Sequence, residues 1–192
     1  MGGAKLGIPV EQIRNRPMPT LAPENSLLLA IDFQPRLMAV IEDAATVVGH
    51  AKKLRAAASL LGVPTLFTEQ YAKGLGTTVE DLAPMEAFQK MTFDACGTPG
   101  FLDRLGEGKD IVVAGCEAHI CVLQTVLSLL DAGRRIFVVR DAIGSRRAES
   151  KETAVRRMER HGAEIVTVEM VVFEWLQTAE NARFREAAAL IK

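Results

Sequence analysis

Short apolar runs rich in β-branched residues alternate along the chain with longer segments whose apolar residues recur at helical spacing. Residues 26–32, 64–68, 111–115, 135–141 and 163–168 read as strands, and the central one, 111–115, lacks a polar/apolar alternation. Strands buried on both faces of a parallel sheet have that pattern. Between them, residues 44–61 place Val47, Val48, Ala51, Leu54, Ala58 and Leu61 on one helical stripe before the stop Gly62-Val63-Pro64. Residues 122–130 are too long for a buried strand and close on Asp131-Ala132-Gly133, and residues 148–160 stop at His161-Gly162. The run 88–93 is a further short strand, 101–105 a short helix, and 170–176 and 183–191 two amphipathic tail helices. Phe173, Trp175 and Leu176 crowd one another there and are expected to pack on the sheet or on a partner subunit.

Strands alternating with helices imply right-handed crossovers and an α/β fold. The expected architecture is a three-layer α/β/α sandwich around a mostly parallel, Rossmann-like sheet. No Gly-x-Gly-x-x-Gly turn follows the first strand, so the dinucleotide-binding form of that architecture has no support. Residues 1–25, with Pro9, Pro17, Pro19 and Pro23, read as an extended arm, and 26–192 as one domain with a sizeable core.

Composition narrows the partners. The formal net charge of -1 argues against a nucleic-acid surface. No apolar stretch at the N-terminus suggests a signal peptide or a membrane span. Cys96, Cys116 and Cys121 are odd in number and lack metal-ligand spacing, which suits reduced thiols and a cytoplasmic location. The apolar tail and the arm predict a homo-oligomer, a dimer or larger.

The chemistry collects where strands end. Asp32 closes the first strand, and in open α/β sheets ligands bind at that edge. The segment 69–78, which begins Glu69-Gln70-Tyr71, is expected to reach the same edge as a loop. Asp141 is expected to end its own strand there. Cys121 falls in the first turn of the helix after the central strand, where unpaired N–H groups and the helix dipole favour a thiolate and offer donors to an oxyanion. Taken alone, Cys121 reads first as a small buried hydrophobe and Lys90 as a solvated surface lysine. Taken together, an Asp, a Lys and a Cys supply a proton acceptor, a balancing cation and a nucleophile. His119 lies two residues from Cys121, a helical spacing that points the two side chains apart, so it is expected to line the pocket rather than act as base. His50 reads as a surface or satisfied histidine, His161 as the neighbour of a helix end, and Arg146 and Arg147 as supports for loops or subunit contacts or, on the blander reading, as solvated residues.

The segments 28–34 (LLAIDFQ), 89–93 (QKMTF) and 113–122 (VAGCEAHICV) resemble those of the isochorismatase-like cysteine hydrolases, and the likeness covers nearly all of the chain after the arm. Segments 69–78 and Ser145-Arg146-Arg147 are most similar to the branch called isochorismatase domain-containing proteins. The resemblance implies a catalytic triad of Asp32, Lys90 and Cys121, a cis peptide between Cys116 and Glu117, and an oxyanion hole formed by the Glu117 and Cys121 amides. It also implies a substrate pocket near Phe33, Gln34, Glu69, Gln70, Tyr71 and His119. Family members that bind a metal carry an Asp-x-His after the second strand, where this chain has Glu69-Gln70-Tyr71. No metal and no cofactor are therefore expected. The implied activity is hydrolysis of a small amide or related acyl compound through a thioester. The alternative is a catalytically silent binding or scaffold member of the same fold.

Overall fold

The computed structural model describes residues 20–192, so the arm expected over 1–25 lies outside the described residues as far as residue 19. Its last residues are ordered: Leu21 is buried, and Pro23–Asn25 form one tight helical turn.

Six strands form one sheet, β1 (Ser26–Ile31), β2 (Thr65–Gln70), β3 (Phe88–Lys90), β4 (Asp110–Cys116), β5 (Ile136–Gly144) and β6 (Glu164–Val166). Their order is β3-β2-β1-β4-β5-β6 and every pair is parallel. Parallel neighbours require crossovers, and the crossovers cover both faces. Helices α1 (Ala44–Leu60), α4 (Val168–Leu176) and α5 (Phe184–Ile191) pack on the face that carries Leu28, Ala30, Phe67, Val112 and Ala114. Helices α2 (Leu123–Asp131) and α3 (Ala148–Arg160) pack on the face that carries Leu29, Ile31, Leu66, Ile111 and Val113. All six residues of β1 are buried, which accounts for the missing alternation in its sequence.

Several boundaries differ from the sequence reading, each for a tertiary reason. β2 runs on through Glu69 and Gln70, which pair in register with Gln89 and Lys90 of β3, so these polar residues belong to a strand and not to a loop. β5 extends to Gly144, and its register against β4 shifts between Val113 and Gly115. Asp141 therefore lies within the strand. Its carboxylate accepts from Val168 N at 3.0 Å, and its carbonyl lies 2.8 Å from His50 Nδ1, so it stands away from the ligand edge. β6 ends at Val166 because the Thr167 hydroxyl accepts from Met170 N and caps α4. In the tail, Trp175 and Leu176 are buried in the protomer's own core, whereas Phe173 remains 43% exposed. The Trp175 indole donates to Ser26 Oγ at 2.9 Å, tying α4 to the first residue of β1.

Gly115 lets the two central strands meet. It has φ +144°, and a Cβ there would stand 2.3 Å from the Ile31 carbonyl oxygen. No side chain fits between β1 and β4 at this point, one residue before Asp32 and one before Cys116.

Candidate active site

Strand alternation sorts the polar residues at this edge. Leu66, Thr68 and Gln70 share one face of β2, the face of the α2 and α3 layer, and Phe88 packs in the same layer. Register then sets Lys90 beside Gln70. Asp32 follows β1 with φ 52°, a left-handed conformation that Asp tolerates better than most residues. Its amide still donates to the Thr68 carbonyl at 3.2 Å, which keeps it aligned with β2.

These side chains form one network. Thr68 Oγ1 donates to Asp32 Oδ1 at 2.7 Å, and Lys90 Nζ donates to Asp32 Oδ2 at 2.6 Å. Lys90 Nζ also donates to Gln70 Oε1 at 2.8 Å and reaches the Thr92 and Phe93 carbonyls at 3.2 and 3.4 Å. The Nζ is thus encircled by acceptors, which offset the cost of burying a lysine that is 3% exposed. Gln70 is itself fixed: its amide donates to the Met91 carbonyl at 2.8 Å, and its backbone is bonded on both sides by the Gln34 carboxamide.

Cys121 comes from the other side. After β4 the chain passes through the Cys116–Glu117 peptide, which is cis, and enters a wide turn over Ala118–Val122 that leads into α2. Val122 N donates to Glu117 O at 3.2 Å across this turn, a wider loop than an α-helix makes. The Cys121 sulfur lies 3.7 Å from Gln70 Oε1 and interacts with both Asp32 and Lys90. Burial, followed by the Asp32 charge, pushes its pKa up to about 12, with Lys90 pulling the other way. The resting group is therefore the thiol.

The structure brings together Asp32, Lys90, Gln70 and Cys121. It places several other candidates elsewhere. Phe33 is 1% exposed and packs in the core on the α1 face, so it lines no open site. Gln34 is closed off from solvent and serves Gln70 and the Gly76 carbonyl. Glu69 points to the opposite face of β2, where its carboxylate accepts from Thr78 N, Thr78 Oγ1 and Gln89. Burial raises its pKa, and those hydrogen bonds outweigh burial and hold it below the ordinary value. Glu69 and Gln70 do not fit a metal, because the Glu69 carboxylate is taken up and the Gln70 side-chain carbonyl accepts from Lys90. Among the described residues, no group of three His, Cys, Asp or Glu side chains could hold a metal ion.

His119 Nδ1 lies 3.0 Å from Ser145 Oγ, and its side chain lines a separate cleft with Glu149 and Arg157. Cys116 packs on the α1 face and Cys121 on the other, which rules out a redox pair between them. Sequence reading missed Thr68, whose signal was the polar run Thr68-Glu69-Gln70 at a strand end, and for Arg146 it preferred solvation to loop support, whereas the guanidinium holds Glu117.

A cavity of ≈ 570 Å³ opens beside Lys90, lined by Tyr71, Ala72, Lys73, Met91, Thr92 and Pro99 among others. Tyr71 is half exposed, and its ring lies over Gly74, where a Cβ would meet it at 2.1 Å. Cys121 is 6% exposed and is not among the residues that line this cavity. A larger cavity, ≈ 710 Å³, lies at the opposite edge of the sheet beside Asp110 and Arg135 and contains none of the clustered residues.

The fold and its cluster define an α/β protein with a parallel sheet that gathers a carboxylate, an ammonium and a thiol near the carboxyl ends of its strands. Residues 26–170 match the isochorismatase domain, and the chain belongs to the isochorismatase family. It is 34% identical over 181 residues to isochorismatase family protein 1A of Dictyostelium discoideum, covering 88% of this chain and 87% of that protein. It is 33% identical over 173 residues to isochorismatase domain-containing protein 2 of Bos taurus, covering 88% and 84%. Among solved structures, the MAR1 ribonuclease of Caenorhabditis elegans superimposes with a TM-score of 0.84 at 35% identity, covering 90% of this chain and 92% of that one.

Proposed function

We propose that the protein hydrolyses a small amide or related acyl compound through a thioester on Cys121. The supporting observation is the buried network in which Lys90 Nζ bonds both Asp32 Oδ2 and the Gln70 carbonyl that faces the Cys121 sulfur. Because the resting thiol is held protonated, its proton passes to Asp32 as the sulfur attacks the substrate carbonyl carbon. The Glu117 and Cys121 amides bind the oxyanion, and Lys90 balances the charge that remains. Collapse of the tetrahedral species breaks the C–N bond, and Asp32 returns the proton to the leaving amine. Water deprotonated by Asp32 then cleaves the thioester, releasing the acid and restoring the thiol.

The test is a panel of small amides turned over by the wild type and by Cys121→Ala. Activity lost in the variant supports the mechanism, and equal turnover in both overturns it. A short RNA belongs in the panel because the C. elegans neighbour is named a ribonuclease. Thiol-dependent cleavage of the RNA alone would replace the acyl substrate.

A second reading is a binding protein without turnover, favoured by a thiol that is buried and pushed up to about 12. Trapping an acyl or aldehyde probe on Cys121 separates the two, since a silent pocket forms no adduct. The proposal includes self-association, supported by Met91 and Phe93, 70% and 55% exposed beside the cavity. A monomer in light scattering at micromolar concentration would contradict that part.

A further inference from the structure

The turn that carries Cys121 is held from outside at two points. The Glu117 carboxylate, in a residue 3% exposed, accepts from Arg146 N at 3.2 Å, Arg146 Nε at 3.0 Å and Arg146 Nη2 at 2.6 Å. The carbonyl of the same residue accepts from Ile120 N at 3.0 Å and Val122 N at 3.2 Å, the amides on either side of Cys121. Glu117 thus joins the guanidinium to the backbone on both flanks of the nucleophile. The second point is Ser145, 2% exposed, whose hydroxyl meets His119 and whose carbonyl accepts from Glu42 N at 3.0 Å. Consecutive residues just after β5 therefore grip alternate residues of the turn.

We infer that Arg146 is a positioning residue for the nucleophile: it fixes Glu117 and, through Glu117, the orientation of the Cys121 turn, with Ser145 holding His119 beside it. A guanidinium fork engages both carboxylate oxygens and sets an angle as well as a distance, which a lysine ammonium does not do. The Arg146 side chain is 53% exposed while that of Glu117 is 3% exposed, so the pair is anchored at its buried end. Open to water at its guanidinium end, the pair adds only modest stability. What it supplies is geometry at a site where small displacements cost rate.

The kinetic arm of the test rests on the hydrolase reading; the labelling arm does not. Arg146→Ala, Arg146→Lys and, as control, Arg183→Ala, which removes only the exposed Arg183–Glu186 pair, are compared with the wild type. One readout is kcat and KM on a neutral amide. The other is the rate at which iodoacetamide labels Cys121 at alkaline pH, followed on the Cys121 peptide so that Cys96 does not interfere. Arg146→Ala is expected to lower kcat by about 10- to 100-fold with KM nearly unchanged. It is expected to change the labelling rate by about tenfold. Arg146→Lys recovers part of both, and Arg183→Ala changes neither.

Wild-type kcat and labelling in Arg146→Ala would overturn the assignment. So would a rise in KM at constant kcat, which would make Arg146 a substrate contact. If the wild type turns over no amide, the hydrolase reading fails, and the labelling rates still decide the role of Arg146. Should Arg146→Ala not fold, Glu117→Gln keeps the side-chain volume, removes the charge and is expected to give the same two effects.

Discussion

Lys90 Nζ and Asp32 Oδ2 stand 2.6 Å apart with both side chains closed off from solvent, one from the third strand of the chain and the other from the end of the first. Desolvating two charges is expensive, and the hydrogen bonds from Thr68 to Asp32 and from Lys90 to Gln70 offset part of that cost. Removing one partner leaves the other charged and buried. Asp32→Ala and Lys90→Ala are each expected to lose about 3–5 kcal/mol. The double variant is expected to lose clearly less than the sum, because the second change removes the orphaned charge. Urea unfolding at constant m-value measures all three. Additive losses would mean that the two groups do not interact.

Alkaline pH tests the thiol. Cys121 has an ordinary value of 9.0 and is pushed up to about 12 in the fold, by burial first and by Asp32 second. Between those values the unfolded chain gives up the proton and the folded chain keeps it, so stability falls as pH rises from 9.0 towards 12. Below that window the thiol contributes no slope. Cys96 is pushed up to about 12 as well, by burial and by Asp94, so the slope is shared. Cys121→Ala is expected to fall less steeply, by at most about 1.4 kcal/mol per pH unit. Parallel slopes in urea midpoints at successive alkaline pH values would contradict this.

Acid pH tests Glu117. Hydrogen bonds from the Arg146 side chain hold its carboxyl below the ordinary value of 4.5, with burial opposing. That stabilisation is present above 4.5 and is lost as pH falls through the lower folded value. Glu117→Gln is expected to lose stability at neutral pH and to show a flatter decline on acidification. Glu69 is lowered too, so some decline persists in the variant. An acid profile identical to that of the wild type would exclude Glu117 as a contributor.

Gly115→Ala tests the closeness of the two central strands. The added methyl meets the Ile31 carbonyl oxygen at 2.3 Å on backbone with φ +144°. The loss is expected to be about 2 kcal/mol or more, seen as a Tm lower by about 5 °C or more. Gly133→Ala, where a Cβ meets nothing within 4 Å although φ is +74°, is expected to cost less. Equal losses would mean that strain at positive φ, rather than the approach of β1 to β4, explains the effect.

The pattern of apolar residues was enough for the layers. Runs such as Leu27–Ile31 and Ile111–Val113 lack alternation because both faces are covered, and helix stops such as His161-Gly162 are local chemistry. Asp32 at the end of the first strand and Cys121 after the central strand were legible on the same grounds. Glu69 and Gln70 were not, because polar residues near glycines read as a loop until β3 is there to pair with them. Phe33 read as a pocket residue through the family resemblance, yet it turns into the core on the α1 face.

The chain by itself determined which segments are strands and helices, the order in which they come, and the residue types at the carboxyl edge, since periodicity and stop signals act over a few residues. Only the tertiary structure decided that Lys90 is a buried cation, that Gln70 faces the sulfur while Glu69 faces away, and that Arg146 reaches Glu117. Each of those facts depends on strand register or on a contact between residues far apart in sequence. A lysine or an arginine read without its partner is assigned to water, because solvation is the cheapest state for an unpaired charge.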